Sequence, residues 1–353
     1  NDCMIMQPSF KNVLADHFSL YPLIISPLYW IFGSYTMLVF QWAAILFGGL
    51  GVFRFVDFIS KNKNLATLAV VHFFCIWGIY SALSFDYHDN VVGAMFVPWF
   101  LYYYKKKDLG KAVLFFILLL ISKENIALWA GFIGLGLSLR HFLNKEWKHL
   151  KTSGMLTLGA FLYFIVILKV IIPFLSNTDG VYLHHSFNAL GEDFGEVIVT
   201  ILQHPIQAIK LLFLNHSGDI LYDGVKLETY LALILAGGWA LFYYPEYLVM
   251  IAPILAQKMF NDLPIRWGIS VHYSIEFAPI IVLSLYCFLN ELKNRKIQLA
   301  GVMIFICALS TIKFMENRTS EYSKIDNTRF YSPDHWKREF DVKSVHEILQ
   351  TIP

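Results

Sequence analysis

The sequence predicts an all-α protein that crosses a membrane many times. Hydrophobic residues make up 57% of its 353 residues and charged residues only 15%, whereas an average soluble protein has about 25% charged residues. Long apolar runs recur along the chain, and short basic clusters separate them. The net charge of +2 comes from these clusters and not from one basic face, so nothing points to nucleic acid.

The apolar runs define the predicted helices. Runs that approach the length of a membrane span lie at about 35–58, 64–84, 90–104, 109–121, 125–142, 152–173, 225–244, 245–260, 271–290 and 297–314. An earlier segment, about 18–33, contains Pro22 and Pro27 and is expected to be a broken or interfacial helix. The sequence therefore predicts about nine to eleven transmembrane helices.

Basic residues set the predicted orientation. If Arg54, Lys61 and Lys63 lie in the cytoplasm, the later basic clusters fall on the same side. These are Lys105, Lys106, Lys107 and Lys111, then Arg140, Lys145, Lys148 and Lys151, and finally Lys293, Arg295 and Lys296. This distribution agrees with the positive-inside rule.

The chain divides into a transmembrane domain, residues 1–314, and a polar tail, residues 315–353, that is expected to be soluble and non-cytoplasmic. A long outer loop at about 174–224 carries two amphipathic segments around His204-Pro205, as expected for helices in the membrane interface. Since the chain begins at Asn1 and stops at Pro353, we expect a preceding helix and part of the tail to lie beyond it. The four scattered cysteines, Cys3, Cys75, Cys287 and Cys307, form no disulfide framework.

Unusual ionisable residues gather on the side opposite the basic loops. They are Asp16-His17, Asp86-Tyr87-His88-Asp89, Lys123-Glu124, His184-His185, and His272 with Glu276. All of them fall at the ends or edges of apolar runs, where charges are expensive unless they face a wet cavity or the interface. The pattern predicts an active site at a membrane surface.

Lys123-Glu124 is the sharpest of these signals because apolar residues flank it on both sides. A lysine here can hold a phosphate, and a glutamate can position the lysine or a sugar hydroxyl. The alternative is a helical hairpin tip with solvated charges.

The two His-carboxylate groups allow several functions. Asp86 and Asp89 flank His88, so the group can accept a proton or bind a divalent cation, with His88 and Asp89 as candidate ligands. Asp89 can also serve as an N-cap for the next helix. Asp16-His17 is a second pair of this kind on the same side.

The outer loop and the run at 271–290 supply the remaining candidates. Adjacent histidines in extended chain point in opposite directions, so at most one of His184 and His185 is expected to face a site. His272 and Glu276 are four residues apart and would share a helix face. With Arg266 and Tyr273 they would line the far wall of a polar cavity, or act as interfacial anchors.

Common soluble-enzyme motifs are absent from the sequence: it has no GxxxxGKS/T, GxGxxG, GxSxG or HExxH. This excludes an obvious ATP-driven pump and a zinc metalloprotease of that kind.

Several stretches resemble the DUF2079 family of polytopic membrane proteins, which is grouped with the GT-C glycosyltransferases. The matching stretches are Asp16-His17-Phe18, Ser26-Pro27-Leu28-Tyr29, Phe85-Asp86-Tyr87-His88, Ser122 to Leu128, His204-Pro205, Tyr244-Pro245-Glu246 and Val271 to Ser274. Two departures stand out. Asp89 occupies a position where the family usually has proline, and only Asp2 and Asp16 remain as acids in the first outer loop, where GT-C enzymes place a catalytic carboxylate.

The resemblance implies a GT-C-like bundle in the bacterial inner membrane with an outward-facing site. The protein would transfer a sugar from a polyprenyl-phosphate donor, in contact with membrane lipids and with protein partners in the envelope. Lys123 and Arg266 would neutralise the leaving phosphate. Glu124, Asp86 and Asp16 are the candidate catalytic carboxylates. His17, His88, His272 and Glu276 would orient the substrate or bind a divalent cation.

Two other functions remain open at the level of sequence. The same charges would line the wet cavity of a transporter or flippase for a lipid-linked or small polar solute. A non-catalytic scaffold subunit of a membrane complex would retain the GT-C-like fold without the reaction.

Overall fold

Helices form all of the regular structure in the residues that the computed structural model describes, 12–176, 184–316 and 341–351. Five are long and apolar enough to cross a membrane: Tyr21–Ser60, Glu124–Leu143, Trp147–Leu175, His272–Glu291 and Lys296–Glu316. Two further helix pairs, bent by 53° and 106°, raise the number to seven if each pair is one span. The all-helical, multi-pass prediction is confirmed.

The helices, in chain order, are α1 (Tyr21–Ile25), α2 (Tyr29–Phe32), α3 (Thr36–Ser60), α4 (Lys63–Cys75), α5 (Trp77–Leu83), α6 (Asp89–Ala94), α7 (Val97–Lys106), α8 (Leu109–Leu120), α9 (Glu124–Leu143), α10 (Trp147–Val166), α11 (Ile172–Leu175), α12 (Phe194–Gln203), α13 (Pro205–Phe213), α14 (Val225–Leu235), α15 (Pro245–Met259), α16 (Pro264–Trp267), α17 (Phe277–Glu291), α18 (Lys296–Glu316) and α19 (Val342–Gln350). A π-helical turn, Ile167–Ile171, joins α10 to α11. Short 3₁₀ turns include Gly238–Tyr243 and His272–Ser274.

The count of about nine to eleven spans is not confirmed, because several apolar runs break into short helices. The run at 90–104 becomes α6 and α7, and Pro98 occupies the first turn of α7. The run at 225–244 stops as an α-helix at Leu235, and Gly237 then takes a left-handed φ of 95°. Only a glycine adopts that conformation without strain, so the chain leaves α14 there for a 3₁₀ turn.

Antiparallel packing of α9 against α15 sets the geometry of the bundle. Asn125, at the start of α9, bonds Gln257 near the end of α15, and Arg140, near the end of α9, bonds Glu246 at the start of α15. In the middle, the Trp129 indole donates to the Met250 carbonyl at 2.9 Å. The start of α9 and the end of α15 therefore lie at one end of the bundle, and the end of α9 and the start of α15 lie at the other.

Two glycines allow the elements around the candidate site to approach closely. A Cβ on Gly78 of α5 would collide with the Ser274 carbonyl, and one on Gly93 of α6 would collide with the Ser122 hydroxyl. Because these two residues have no side chain, the 272–274 turn can pack closely against α5, and Ser122 can pack closely against α6.

The two amphipathic segments that the sequence predicts around His204 form helices. Helices α12 and α13 meet there at 106°, with Pro205 at the first position of α13. Their exposed apolar side chains are Ile198, Val199, Leu202, Ile206, Ile209 and Phe213. Such a surface is typical of helices that lie on a membrane.

Several sequence predictions fall outside the described residues. Asp2 and Cys3 precede them, and most of the predicted tail lies at 317–340, followed by the described helix α19. The other three cysteines, Cys75, Cys287 and Cys307, are free thiols, as the sequence predicts.

Candidate functional site

One cavity, at the end of the bundle where α9 begins, is lined by six of the predicted ionisable residues: His17, Lys123, Glu124, His184, Arg266 and Glu276. We call it the site cavity. Its lining includes the charged or polar residues His17, Lys123, Glu124, Asn125, His184, Gln257, Lys258, Arg266, Tyr273 and Glu276. Its apolar lining consists of Ile126, Leu128, Trp129, Phe164, Phe187, Phe194 and Ile254. A lining that combines charged and polar groups with aromatic rings fits a ligand with both an anionic and an apolar part.

Glu124 is buried at the start of α9, and both of its carboxylate oxygens are engaged. One oxygen lies 2.7 Å from His17 Nδ1, and the other accepts the Phe18 backbone N–H at 3.0 Å. Its side chain is 1% exposed. Glu124 therefore fixes the segment before α1 and the ring of His17, which makes it a positioning residue for the cavity wall.

Asp16, His17 and His184 form a group whose side-chain ligand atoms all lie within 4.8 Å of one another. His184 Nε2 lies 2.6 Å from Asp16 Oδ1, and the rings of His184 and His17 stack with centroids 4.0 Å apart. We call Asp16, His17 and His184 the His-Asp trio. Its residue types are those that bind Zn²⁺ and similar divalent cations.

The protonation states of His17 and Asp16 favour a cation ligand role. Burial lowers the pKa of the His17 imidazole below its usual 6.5, so the neutral ring is favoured. The hydrogen bond with His184 holds the pKa of the Asp16 carboxyl below 3.8. With its Nδ1–H donated to Glu124, neutral His17 keeps a lone pair on Nε2. A carboxylate behind a histidine in this way is the usual support of a metal-binding histidine.

Two cations in the site cavity form no direct ion pair with any described residue. Lys123 is only 9% exposed, and its ammonium makes no hydrogen bond or ion pair with any residue that the structure describes. The Arg266 guanidinium lies over the Tyr273 ring, 4.9 Å from its centroid, and likewise has no carboxylate partner within the described ranges. A buried cation without a partner is costly, so this wall is arranged for an anion.

Glu276 presents the remaining carboxylate of the site cavity. It is 6% exposed, and its Oε1 accepts the Asn90 side-chain amide at 2.7 Å. No hydrogen-bond partner for its Oε2 exists among residues 12–176, 184–316 and 341–351. Within the described part of the chain, Glu276 is therefore the cavity carboxylate that has an oxygen without a hydrogen-bond partner.

Asp86, His88 and His272 lie beside the site cavity and do not line it. His88 Nδ1 is 3.1 Å from an Asp86 carboxylate oxygen that is largely exposed. The His88 ring stacks on the His272 ring at 3.4 Å, and His272 adjoins the cavity residue Tyr273. The structure thus links this group to the cavity through His272.

Two local expectations about these residues are wrong. Asp89 is the first residue of α6 and His88 its N-cap, without a side-chain cap bond. The Asp89 carboxylate accepts the Tyr87 hydroxyl at 2.7 Å instead. His272 and Glu276 do not share an α-helix face, because His272 begins a 3₁₀ turn and Glu276 is the N-cap of α17.

The backbone just before His272 is strained. Val271 has φ 53° and ψ −175°, a conformation that a β-branched residue rarely adopts. Such strain costs on the order of 1–3 kcal/mol and concentrates at functional sites. The position of the His272 ring, which stacks on His88, thus depends on a backbone held in an unfavourable conformation.

His184 and His185 separate as their adjacency predicts. His184 lines the site cavity, whereas His185 bonds the Gly191 carbonyl at 2.9 Å and packs against Phe187 and Phe194. Sequence reasoning missed the aromatic wall and Gln257 because they carry no charge within an apolar run. It also did not identify Lys258, which lies near the end of α15 and whose Nζ donates to the Gly268 carbonyl at 2.8 Å.

Comparisons with known proteins give one match. A family model described as "Predicted membrane protein (DUF2079)" matches residues 3–353, almost the whole chain. Neither the curated proteins nor the solved structures contain a match to this chain.

Proposed function

This chain belongs to the DUF2079 family of predicted membrane proteins, and we propose that it is an integral-membrane glycosyltransferase. It would transfer a sugar from a polyprenyl-phosphate donor to an acceptor. The observation that carries the proposal is the buried ammonium of Lys123, which has no ion pair or hydrogen bond with the described residues, in a cavity that Glu276 also lines.

The cations account for the donor end of the reaction. When the sugar–phosphate bond breaks, negative charge builds on the departing phosphate. Lys123, which is 9% exposed, and Arg266 would offset that charge. Positive groups that are held in place before the reaction stabilise developing charge most where water is excluded. The apolar wall around Trp129 and Phe194 would hold the sugar face and the start of the polyprenyl chain.

Glu276 is the residue that we propose as the general base for the acceptor hydroxyl. Glu276 lines the same cavity as Lys123, and its Oε2 has no hydrogen-bond partner among the described residues. Base catalysis needs a carboxylate within hydrogen-bonding reach of the proton it removes. Glu124, with both oxygens engaged, is less suited to that role than to positioning His17.

We further propose the membrane arrangement that the sequence predicts. The protein would have a GT-C-like bundle of about nine to eleven crossings, in which the shorter helices also span or re-enter the bilayer. The site cavity would face away from the basic loops, toward the non-cytoplasmic side of a bacterial inner membrane. Helices α12 and α13 would lie in the outer interface and cover the site from water.

A divalent cation held by the His-Asp trio completes the proposed site. It would add positive charge near the donor phosphate. The trio, and not the sequence-predicted pair His88 and Asp89, supports this proposal because its members already converge and Glu124 orients His17.

Replacing His184 by asparagine is expected to reduce bound metal by at least about tenfold, because the trio loses one of three ligands. Metal content after dialysis against Zn²⁺ or Mn²⁺ measures this. His185→Asn is the matched control, since its ring bonds Gly191 and does not line the cavity. Metal loss in His88→Asn with retention in His184→Asn would overturn the assignment in favour of the sequence-predicted pair.

Transfer itself is tested with purified full-length protein. Labelled polyprenyl-phosphate sugars, supplied in detergent or liposomes, are expected to lose label to an acceptor or to water. No release from any of a panel of hexose and pentose donors, with bound metal present, would contradict the glycosyltransferase proposal. That result would favour a scaffold subunit.

One observation favours transport as a second candidate. Another cavity, lined by Leu137, Arg140 and Met250, lies at the opposite end of α9 and α15. Trp129 and Leu137 are eight residues apart on α9, or roughly 12 Å along a helix. The Trp129–Met250 contact thus separates two cavities. Movement of labelled lipid across liposomes without bond cleavage would support a flippase.

A further inference from the structure

The cavity at the far end of α9 is a candidate binding site in its own right. It has a volume of about 390 Å³ and lies among α3, α7, α8, α9, α10 and α15. Its ionisable lining residues are Lys105, Lys107, Arg140, His141, Glu146, Lys148, His149 and Glu246. We call it the basic cavity. From the sequence, these lysines indicate only the orientation of the chain in the membrane.

The carboxylates of the basic cavity are already occupied. Glu246 pairs with Arg140 at 3.0 Å, and Glu146 lies 2.5 Å from His141 Nδ1. The ammonium groups of Lys105, Lys107 and Lys148 have no ion pair or hydrogen bond within the described part of the chain. The cavity therefore keeps a surplus of unpaired positive charge.

The start of α10 adds to this positive potential. Glu146 precedes the helix but makes no side-chain cap bond, so the first backbone N–H groups of this 20-residue helix are uncapped. Lys148, His149 and Thr152, from its first two turns, line the cavity. A helix N-terminus carries partial positive charge and binds phosphate well.

Apolar residues form the rest of the lining. Phe55, Leu101, Leu137 and Met250 come from four helices and lie in the body of the bundle, whereas the lysines lie at helix ends. A small hydrophilic anion would leave this apolar part unfilled. A lipid headgroup with its first acyl carbons would contact both parts.

We infer that the basic cavity binds the phosphodiester headgroup of an anionic phospholipid. Lys105, Lys107 and Lys148 contact the phosphate, and the apolar lining receives the adjacent hydrocarbon. Basic pockets between helices at the membrane surface bind phosphate-bearing lipids in this manner. The inference uses no residue of the site cavity and does not depend on glycosyl transfer.

The test is native mass spectrometry of the delipidated full chain, titrated with phosphatidylglycerol. Phosphatidylcholine with the same acyl chains tests the need for net negative charge, and inorganic phosphate tests a soluble source. The triple variant Lys105→Gln, Lys107→Gln, Lys148→Gln removes the three unpaired cations. The matched control, Lys106→Gln, Lys145→Gln, Lys151→Gln, removes the same charge from the same end, and these residues do not line the cavity.

We expect phosphatidylglycerol to bind the wild type and the control alike. The cavity variant should bind it about tenfold or more weakly, given that each lysine near an anionic headgroup contributes to affinity. Equal losses in the two variants would mean general surface attraction and would overturn the inference. So would equal affinity for phosphatidylcholine. Binding of inorganic phosphate as tight as that of the lipid would overturn the lipid as the source.

Discussion

Lys123→Met is expected to lower sugar-transfer turnover by about 10²–10³-fold, the usual effect of removing one group that stabilises developing negative charge. Methionine fills similar space without the charge. Because Lys123 is 9% exposed and has no counter-ion in the described structure, its removal also relieves a buried cation. The unfolding temperature should therefore stay level or rise while turnover falls.

The measurements are turnover with a saturating labelled donor and thermal unfolding in the same detergent. Lys313→Met is a matched control, because Lys313 is an exposed lysine of α18 that does not line the site cavity. Wild-type turnover in Lys123→Met would contradict the proposed role of the ammonium. A large fall in unfolding temperature would contradict the claim that Lys123 is present for function and not for stability.

The fold class was predictable because it depends on composition and on run length, which are local. Where the runs break was not predictable to the same degree. The 64–84 run bends by 53° between α4 and α5, around Ile76. Isoleucine at position 76 does not by itself predict a break in a helix. The bend occurs where Gly78 packs closely against the 272–274 turn, almost 200 residues away in the sequence. Such a long-range contact leaves no periodic signal in sequence.

The candidate site was predictable where charge interrupts an apolar run. Lys123-Glu124 is such a case, and the structure places both residues in the site cavity. The contact of His184 with Asp16 joins residues 168 positions apart, so only the fold reveals the His-Asp trio. For Asp86, by contrast, the sequence gives a misleading indication. It belongs to a motif dense in polar residues, which predicts a place in the site, yet its side chain is 76% exposed and lies beside the cavity. Its catalytic role stays a prediction.

Glu276→Gln is expected to lower turnover by about 10²–10⁴-fold, the range for loss of a general base. The amide keeps the size of the side chain, and its oxygen can still accept from Asn90. Donor binding should change little, since Lys123 and Arg266 remain. The fall should therefore appear in kcat more than in KM.

Glu124→Gln is the comparison that separates a base from a positioning residue. Glutamine replaces one of the two acceptor oxygens by an NH₂ donor, so the arrangement in which Glu124 accepts His17 Nδ1–H on one oxygen and the Phe18 N–H on the other is lost. It should lower metal affinity by about 10–100-fold, as loss of a group behind a metal ligand does. Excess metal should then restore turnover in Glu124→Gln but not in Glu276→Gln. If metal rescues neither variant and Glu124→Gln has the lower turnover, the base is Glu124, and the assignment of Glu276 is wrong.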